Sequence, residues 1–179
     1  KDRGQSDAIN KGLRLSTGEI VAYFNSDDVY EKGAFRKVAG YFDAHPDKRW
    51  LTGRCRIIDE NDRDIRGFIA GYKNFLLRRY NYNILLVTNF ISQPATFLKR
   101  ELIAEFGLFD EKEHRVMDYD YWLRTGAKYP PGVLDEALAS FRVYRASKTS
   151  SAFKETFRQE LRVAKKYSRS WFLNVLHYL

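Results

Sequence analysis

Two clusters of acids carry the chemistry this sequence could perform. The first is Asn25-Ser26-Asp27-Asp28, directly after the apolar run Ile20, Val21, Tyr23 and Phe24. In open α/β sheets, ligands sit beyond the carboxyl ends of strands. Two adjacent carboxylates there repel each other, and burying them unpaired is costly. A hard divalent cation removes that conflict, because Mg²⁺ takes one or two protein carboxylates and completes its shell with water and phosphate oxygens. The alternative is that Asp27 or Asp28 caps a helix beginning near Glu31, a role for which Asp is favoured. The second cluster is Met117-Asp118-Tyr119-Asp120-Tyr121-Trp122. Helical residues two apart point to different faces, so Asp118 and Asp120 cannot address one site equally. One is expected to face a cleft and the other solvent or a helix N-terminus. The alternative is that both complement the helix dipole in its first turn.

The elements that must position these acids alternate between helix and strand. Asp7–Leu15 reads as a helix with Ser6 as its N-cap and Gly18 just past its end. Glu19–Phe24 reads as a strand, and Lys32–Asp43 as a helix with Phe35, Val38, Ala39 and Phe42 on one face. Trp50–Ile58 is expected to be a strand, with a turn at Asp59–Asp62 and a short strand at Asp64–Phe68. Tyr72–Ile91 is aromatic and reads either way. Pro94–Leu98 looks extended, and a short helix at Arg100–Phe106 stops at Gly107. Met117–Gly126 reads as a helix, Ala137–Tyr144 as a strand and Ser151–Leu179 as one long helix. The alternation favours an α/β sandwich.

Composition narrows the class. A chain of 179 residues with 44% hydrophobic and 16% aromatic content is a folded protein, long enough for one sizeable core. The single cysteine, Cys55, excludes an internal disulfide, makes a reducing setting the default and reads as a small core residue. No apolar run approaches the roughly 18 residues that span a bilayer. The formal net charge of +8 is concentrated: from Arg142 onward there are nine Lys and Arg against two acids, Glu155 and Glu160. A partner with negative charge at this end is suggested, whether membrane surface, nucleic acid or phosphorylated substrate. In the terminal helix Phe153, Phe157, Leu161, Ala164, Trp171 and Val175 form an apolar stripe beside a basic one. Such a helix can dock on the domain or lie on an anionic membrane. Trp122 reads as packing, His114 as a surface residue near the acid cluster, and His45 and His177 as non-catalytic.

Taken together, the blocks Gly4–Gly12, Gly18-Glu19-Ile20, Asn25–Asp28, Gln93–Phe97, Gly107–Glu111 and Met117–Arg124 resemble, in this order, the family 2 inverting glycosyltransferases. The resemblance runs from about Gly4 to Thr149. It implies a GT-A-like (nucleotide-diphospho-sugar transferase) α/β/α sandwich over 1–149, lacking the first strands, followed by a basic amphipathic C-terminal helix over 150–179. The segment that would contact the nucleotide base is expected to be missing, and the piece by itself to be poorly active or inactive.

The resemblance also implies roles. Asp28 would be the metal ligand for Mn²⁺ or Mg²⁺, and Asp27 would contact the ribose or donor sugar and share the metal. Asn25 stands where the family has an acid. Asp118 would be the catalytic base, counted six residues before Arg124, with Asp120 as runner-up. Asp7 and Asn10 would flank the nucleotide, and Gln93 would belong to an acceptor-side loop, unless Pro94 is simply a strand entry. Arg142 or Arg145 would pair with the diphosphate, while Tyr144 replaces a frequent histidine. The implied partners are a nucleotide-sugar donor and a glycan or lipid-linked acceptor in bacterial-type cell-surface polysaccharide or glycolipid synthesis. The implied location is the cytoplasm or the inner membrane face, with peripheral contact through 153–179 as an option. Two alternatives stand beside this: a basic-tail module for anionic membrane or nucleic acid, though RNA-binding motifs are missing and no nucleic acid is expected, and a non-catalytic homologue that binds sugar nucleotide.

Overall fold

The computed structural model describes residues 1–144, 153–168 and 170–178. The elements are α1 (Gln5–Leu15), β1 (Ile20–Val21), β2 (Val29–Tyr30), α2 (Ala34–Ala44), β3 (Trp50–Ile58), α3 (Gly67–Arg78) and α4 (Tyr82–Val87). A 3₁₀ turn at Gln93–Ala95 then leads to β4 (Thr96–Lys99), α5 (Arg100–Phe106), α6 (Met117–Gly126) and β5 (Gly132–Arg142). The chain ends in α7 (Phe153–Tyr167) and α8 (Trp171–Tyr178).

The strands form one mixed sheet in the order β1-β4-β3-β5-β2. β3 and β5 run parallel and the other pairs antiparallel. Side chains alternate across the sheet, as a two-residue period requires. Trp50 and Leu98 join a large core with α1, α4, α5, α6 and α7, whereas Leu51 and Phe97 join a smaller one beneath α2. Trp122 on α6 stacks on Trp50 with ring centroids 5.3 Å apart, which fixes α6 against the sheet. Gly53 sits where β3 shifts register against β5. A Cβ there would lie 2.5 Å from Leu138, closer than packing allows.

Several expectations are corrected. α1 starts at Gln5 with Gly4 at its cap, and Ser6 is buried, its hydroxyl donating to Met117 Sδ at 2.8 Å. The first strand pairs only over Ile20–Val21. At Tyr23, the carbonyl accepts instead from Gln93 Nε2 at 2.6 Å. The face of α2 is Ala34, Val38 and Phe42, while Phe35 is exposed. The strand at Asp64–Phe68 shrinks to a single bridge between Ile58 and Asp64, because Asp62 and Arg66 turn the chain through left-handed backbone into α3. The terminal helix is two helices. Ser170 accepts from the Leu173 N–H at 3.4 Å and so restarts the chain as the N-cap of α8. α7 docks on α6 and α4 through Val163 and Ala164, both buried, so its apolar side faces the domain. Among the described residues, no helix is long and apolar enough to cross a membrane.

Candidate active site

The Asn25–Asp28 turn is tied down from both sides. Asn25 Nδ2 donates to Asp28 Oδ2 at 3.1 Å, and Asn25 Oδ1 accepts from Gln5 Nε2 at 3.0 Å. From the end of β5, the Arg142 N–H donates to Asp28 Oδ1 at 3.0 Å. Asp28 is buried, and burial pushes its carboxyl above the ordinary value. The neighbouring Asp27 charge adds to this, while the hydrogen bonds from Arg142 and Asn25 oppose it. Neither acid caps a helix, because β2 follows directly and Gly33 is the N-cap of α2. Among the described residues, nothing donates a hydrogen bond to the Asp27 carboxylate.

Asp118 and Asp120 face different ways, as residues two apart on a helix must. Asp118 Oδ1 accepts the Tyr119 N–H at 2.8 Å, and burial raises its carboxyl, opposed by that bond and by the Lys73 charge from α3. Asp120 is buried toward α7. Its Oδ1 accepts from Tyr167 Oη at 2.9 Å and Lys166 Nζ at 3.4 Å, so it anchors the C-terminal helix. Burial pushes the Tyr23 phenol well up, with the charges of Asp118 and Asp28 adding to this.

The remaining candidates have their polar groups occupied. Asn10 is buried and pairs with the backbone of Phe109 in both directions, its Nδ2 donating at 2.9 Å and its Oδ1 accepting at 3.0 Å. Arg142 donates to the Asp27 carbonyl at 2.8 Å, the Asp59 carbonyl at 2.7 Å and Asp62 Oδ1 at 2.7 Å. Its guanidinium thus staples two loops where a diphosphate contact was expected, and Arg145 lies outside the described residues. Gln93 holds Tyr23 in place. Asp7 is paired with Arg3 and Lys11, which hold its carboxyl well below the usual range, and lines a small cleft of about 110 Å³ with His114. The larger depression, about 430 Å³ and lined by Thr17, Arg49 and Lys99, contains none of the candidates. Cys55 is buried, its thiol pushed up to about 12, and Trp122 is packing.

Lys73, Tyr23 and Glu160 were not singled out by sequence reasoning. Lys73 lies in the segment that read either way. Glu160 did carry a signal, since it falls three residues after Phe157 and four before Ala164, on the apolar stripe. An acid on a buried stripe requires a reason.

Comparison with known proteins fits this geometry. The sequence profile described as glycosyl transferase family 2 matches residues 1–107. An uncharacterized glycosyltransferase of Methanocaldococcus jannaschii is 25% identical over 145 residues, covering 80% of this chain and 48% of the relative. The PGL/p-HBAD biosynthesis glycosyltransferase of Mycobacterium bovis is 25% identical over 124 residues, covering 69% and 44%. Staphylococcus aureus TarS 1–349, solved in complex with UDP-GlcNAc, shares the fold at a TM-score of 0.61 and 18% identity, covering 97% of this chain and 50% of that one. Glucosyl-3-phosphoglycerate synthase from Mycobacterium tuberculosis, solved with Mn²⁺, UDP-glucose and phosphoglyceric acid, shares it at 0.56 and 11%, covering 92% and 56%. The chain spans half the length or less of the curated relatives it matches. Its fold is GT-A-like, and by its sequence it belongs to glycosyl transferase family 2.

Proposed function

We propose that this chain carries the metal and base side of an enzyme that moves a sugar from a nucleotide-sugar donor to an acceptor hydroxyl with inversion. The observation that carries this reading is the Asp27–Asp28 pair held by Asn25 and the Arg142 N–H in a chain of glycosyl transferase family 2. An inverting transfer needs a carboxylate that takes the proton from the acceptor hydroxyl as its oxygen attacks the anomeric carbon. Asp118 suits that role: its recessed carboxyl has raised proton affinity, and the nearby Lys73 charge favours the ionised form. No covalent intermediate on the protein is required.

The donor set at the strand end fits a hard divalent cation that keeps several non-protein ligands. It offers two adjacent carboxylates; among the described residues, one of them has no hydrogen-bond donor and no third acid, histidine or cysteine completes a cage. Asp28 and Asp27 would hold Mn²⁺ or Mg²⁺, whose chemistry is to neutralise a departing diphosphate. Asn25 orders the turn and brings no charge. Arg142, Asn10 and Gln93 support the site through the backbone they hold, and Asp27 remains the donor-side contact.

The acceptor reading is a glycan or lipid-linked hydroxyl in bacterial-type cell-surface polysaccharide or glycolipid synthesis, at the inner face of the membrane. The mycobacterial relative is named for PGL/p-HBAD biosynthesis. With α7 docked, membrane contact is assigned to α8, where Trp171, Phe172, Val175 and Leu176 are exposed. Sedimentation with anionic vesicles tests this: Trp171→Ala with Phe172→Ala should abolish co-pelleting, and unchanged co-pelleting would contradict it. The alternative of a nucleic-acid-binding tail loses part of its charge, since Arg162 and Lys166 pair with buried Glu113.

The enzyme reading is tested by calorimetry and nucleotide release with the full-length protein. A panel of sugar nucleotides beginning with UDP-GlcNAc and UDP-glucose would be titrated with and without Mn²⁺. Metal-dependent binding with release of the nucleotide supports the enzyme. Binding without release would favour the non-catalytic homologue, and no binding across the panel would refute both.

A further inference from the structure

The apolar side of α3 faces outward. Of its twelve residues only Leu77 is buried, whereas Phe68, Ile69, Tyr72 and Phe75 are exposed, Phe68 by 89%. Phe68, Tyr72 and Phe75 follow steps of four and three, so they stand in one row on the helix. A surface helix ordinarily turns such a stripe to the core, and a contiguous exposed apolar patch marks an interaction site. Phe35, exposed on α2, differs because its ring packs against Tyr30 and Phe97. Charge narrows what the row of α3 can meet. Gly67–Arg78 contains no acid. Arg66 at its N-cap and Arg79 just past its end bracket the row, and the Arg79 guanidinium lies 4.3 Å from the centroid of the Phe75 ring. Nearby acids are already paired: Asp62 with Arg142, Asp64 with Arg56 and Asp135 with Arg78. Among the described residues, neither Arg66 nor Arg79 has an acid partner.

We propose that α3 is a lipid-contacting element, with Phe68, Ile69, Tyr72 and Phe75 entering the interface of an anionic bilayer and Arg66 and Arg79 holding its headgroups. Apolar side chains sink into that interface while arginines stay with the phosphates. A second copy of the chain fits poorly, because parallel α3 helices would set Arg66 beside Arg66 and antiparallel ones would set Arg66 beside Arg79. The row stands on the outside of a helix, and neither cleft described above includes a residue of α3, so a partner helix finds no groove. The inference rests on the reading that the enzyme works at a membrane face, and it adds a second contact there. α3 passes through Arg79, Tyr80 and Asn81 into α4, and α4 packs on α8, where His177 Nδ1 donates to the Leu86 carbonyl at 3.0 Å. Two weak contacts bind firmly only together, since the first raises the effective concentration of the second. Loss of either one should therefore release the protein. The loop leading into α3 is stapled to the Asp27–Asp28 turn, because Arg142 donates to the carbonyls of Asp27 and Asp59. The lipid contact thus begins beside the acid cluster, where a lipid-linked acceptor has to arrive.

Vesicle binding by the full-length protein tests this, with equimolar phosphatidylcholine and phosphatidylglycerol and with phosphatidylcholine alone. Phe68→Ala with Phe75→Ala should lower the partition onto the anionic vesicles by at least about tenfold. Both side chains are exposed, so the urea midpoint should stay near native. Arg66→Gln with Arg79→Gln should cause a similar loss on the anionic vesicles and almost none on the neutral ones. Fluorescence quenching by brominated lipid locates the contact. Quenching lost on Trp171→Phe reports α8, and quenching gained when Phe68→Trp is added to that variant reports α3. Native partition in the double alanine variant, or no gain of quenching at residue 68, overturns the proposal. A dimer that the double alanine variant dissociates in sedimentation velocity also overturns it, and makes α3 a protein-binding face. Quenching at residue 171 but not at 68 leaves the α8 reading standing and sinks this one, and the reverse pattern does the opposite. A native protein that binds neither vesicle refutes both.

Discussion

Asn10 tests a structural role against a nucleotide-binding one, and its hydrogen bonds to Phe109 are those the first requires. Its side chain is buried and bridges the Phe109 N–H and C=O at 3.0 and 2.9 Å, joining α1 to the loop ahead of α6 across 99 residues of sequence. Phe109 is itself buried, with its ring against Tyr23 and Tyr121. Asn10→Ala leaves one donor and one acceptor without partners in a dry environment. Each such group costs about 1–3 kcal/mol, so the variant should lose about 2–6 kcal/mol of stability. Asn10→Asp should not rescue it, because a carboxylate still accepts from the Phe109 N–H but cannot donate to the carbonyl. Urea denaturation followed by tryptophan fluorescence measures the loss, and calorimetry on the folded fraction measures donor affinity. The expected outcome is a lowered midpoint with donor affinity retained. Full stability together with lost donor binding would refute the reasoning and make Asn10 a ligand contact.

Other perturbations separate the parts of the account. Asp120→Asn should lose stability of α7, read as faster amide exchange over Phe153–Tyr167, while nucleotide release persists. Abolished release with α7 intact would make Asp120 the base. Gly53→Ala drives a Cβ into Leu138 and should cost about 1–3 kcal/mol by overpacking. Leu138→Ala in the same chain should recover part of that loss, and additive losses would show that the contact is not the cause.

Much of the scaffold was legible because its patterns are local. β3, α5 and α6 lie where apolar periodicity and the Gly107 stop place them. What failed depends on distant partners. The length of the first strand is set by whether β4 reaches it, and Gln93 replaces the ladder beyond Val21. Ser6 looked like a cap because its type suits one, yet tertiary contact with Met117 takes its hydroxyl. The break between α7 and α8 was written as Ser168-Arg169-Ser170 but was overridden in the reading by a continuous apolar stripe. At the site, the acids were visible from their types and their place after a strand. The staples were not: Arg142 holds the Asp27 carbonyl from 115 residues away, and no local spacing announces that. Glu160 meets Asn89 only through the fold, although an acid on the apolar stripe of α7 was a signal that burial would need explaining.

The most direct measurement of the central claim is a paired one on Asp118→Asn in the full-length protein, with donor affinity by calorimetry and turnover by nucleotide release. A general base contributes about 10²–10⁴ in rate. The account expects turnover to fall by at least about 100-fold with the donor still bound at near-native affinity. Turnover that survives the substitution, or a loss of donor binding that accounts for all of the lost rate, would contradict it.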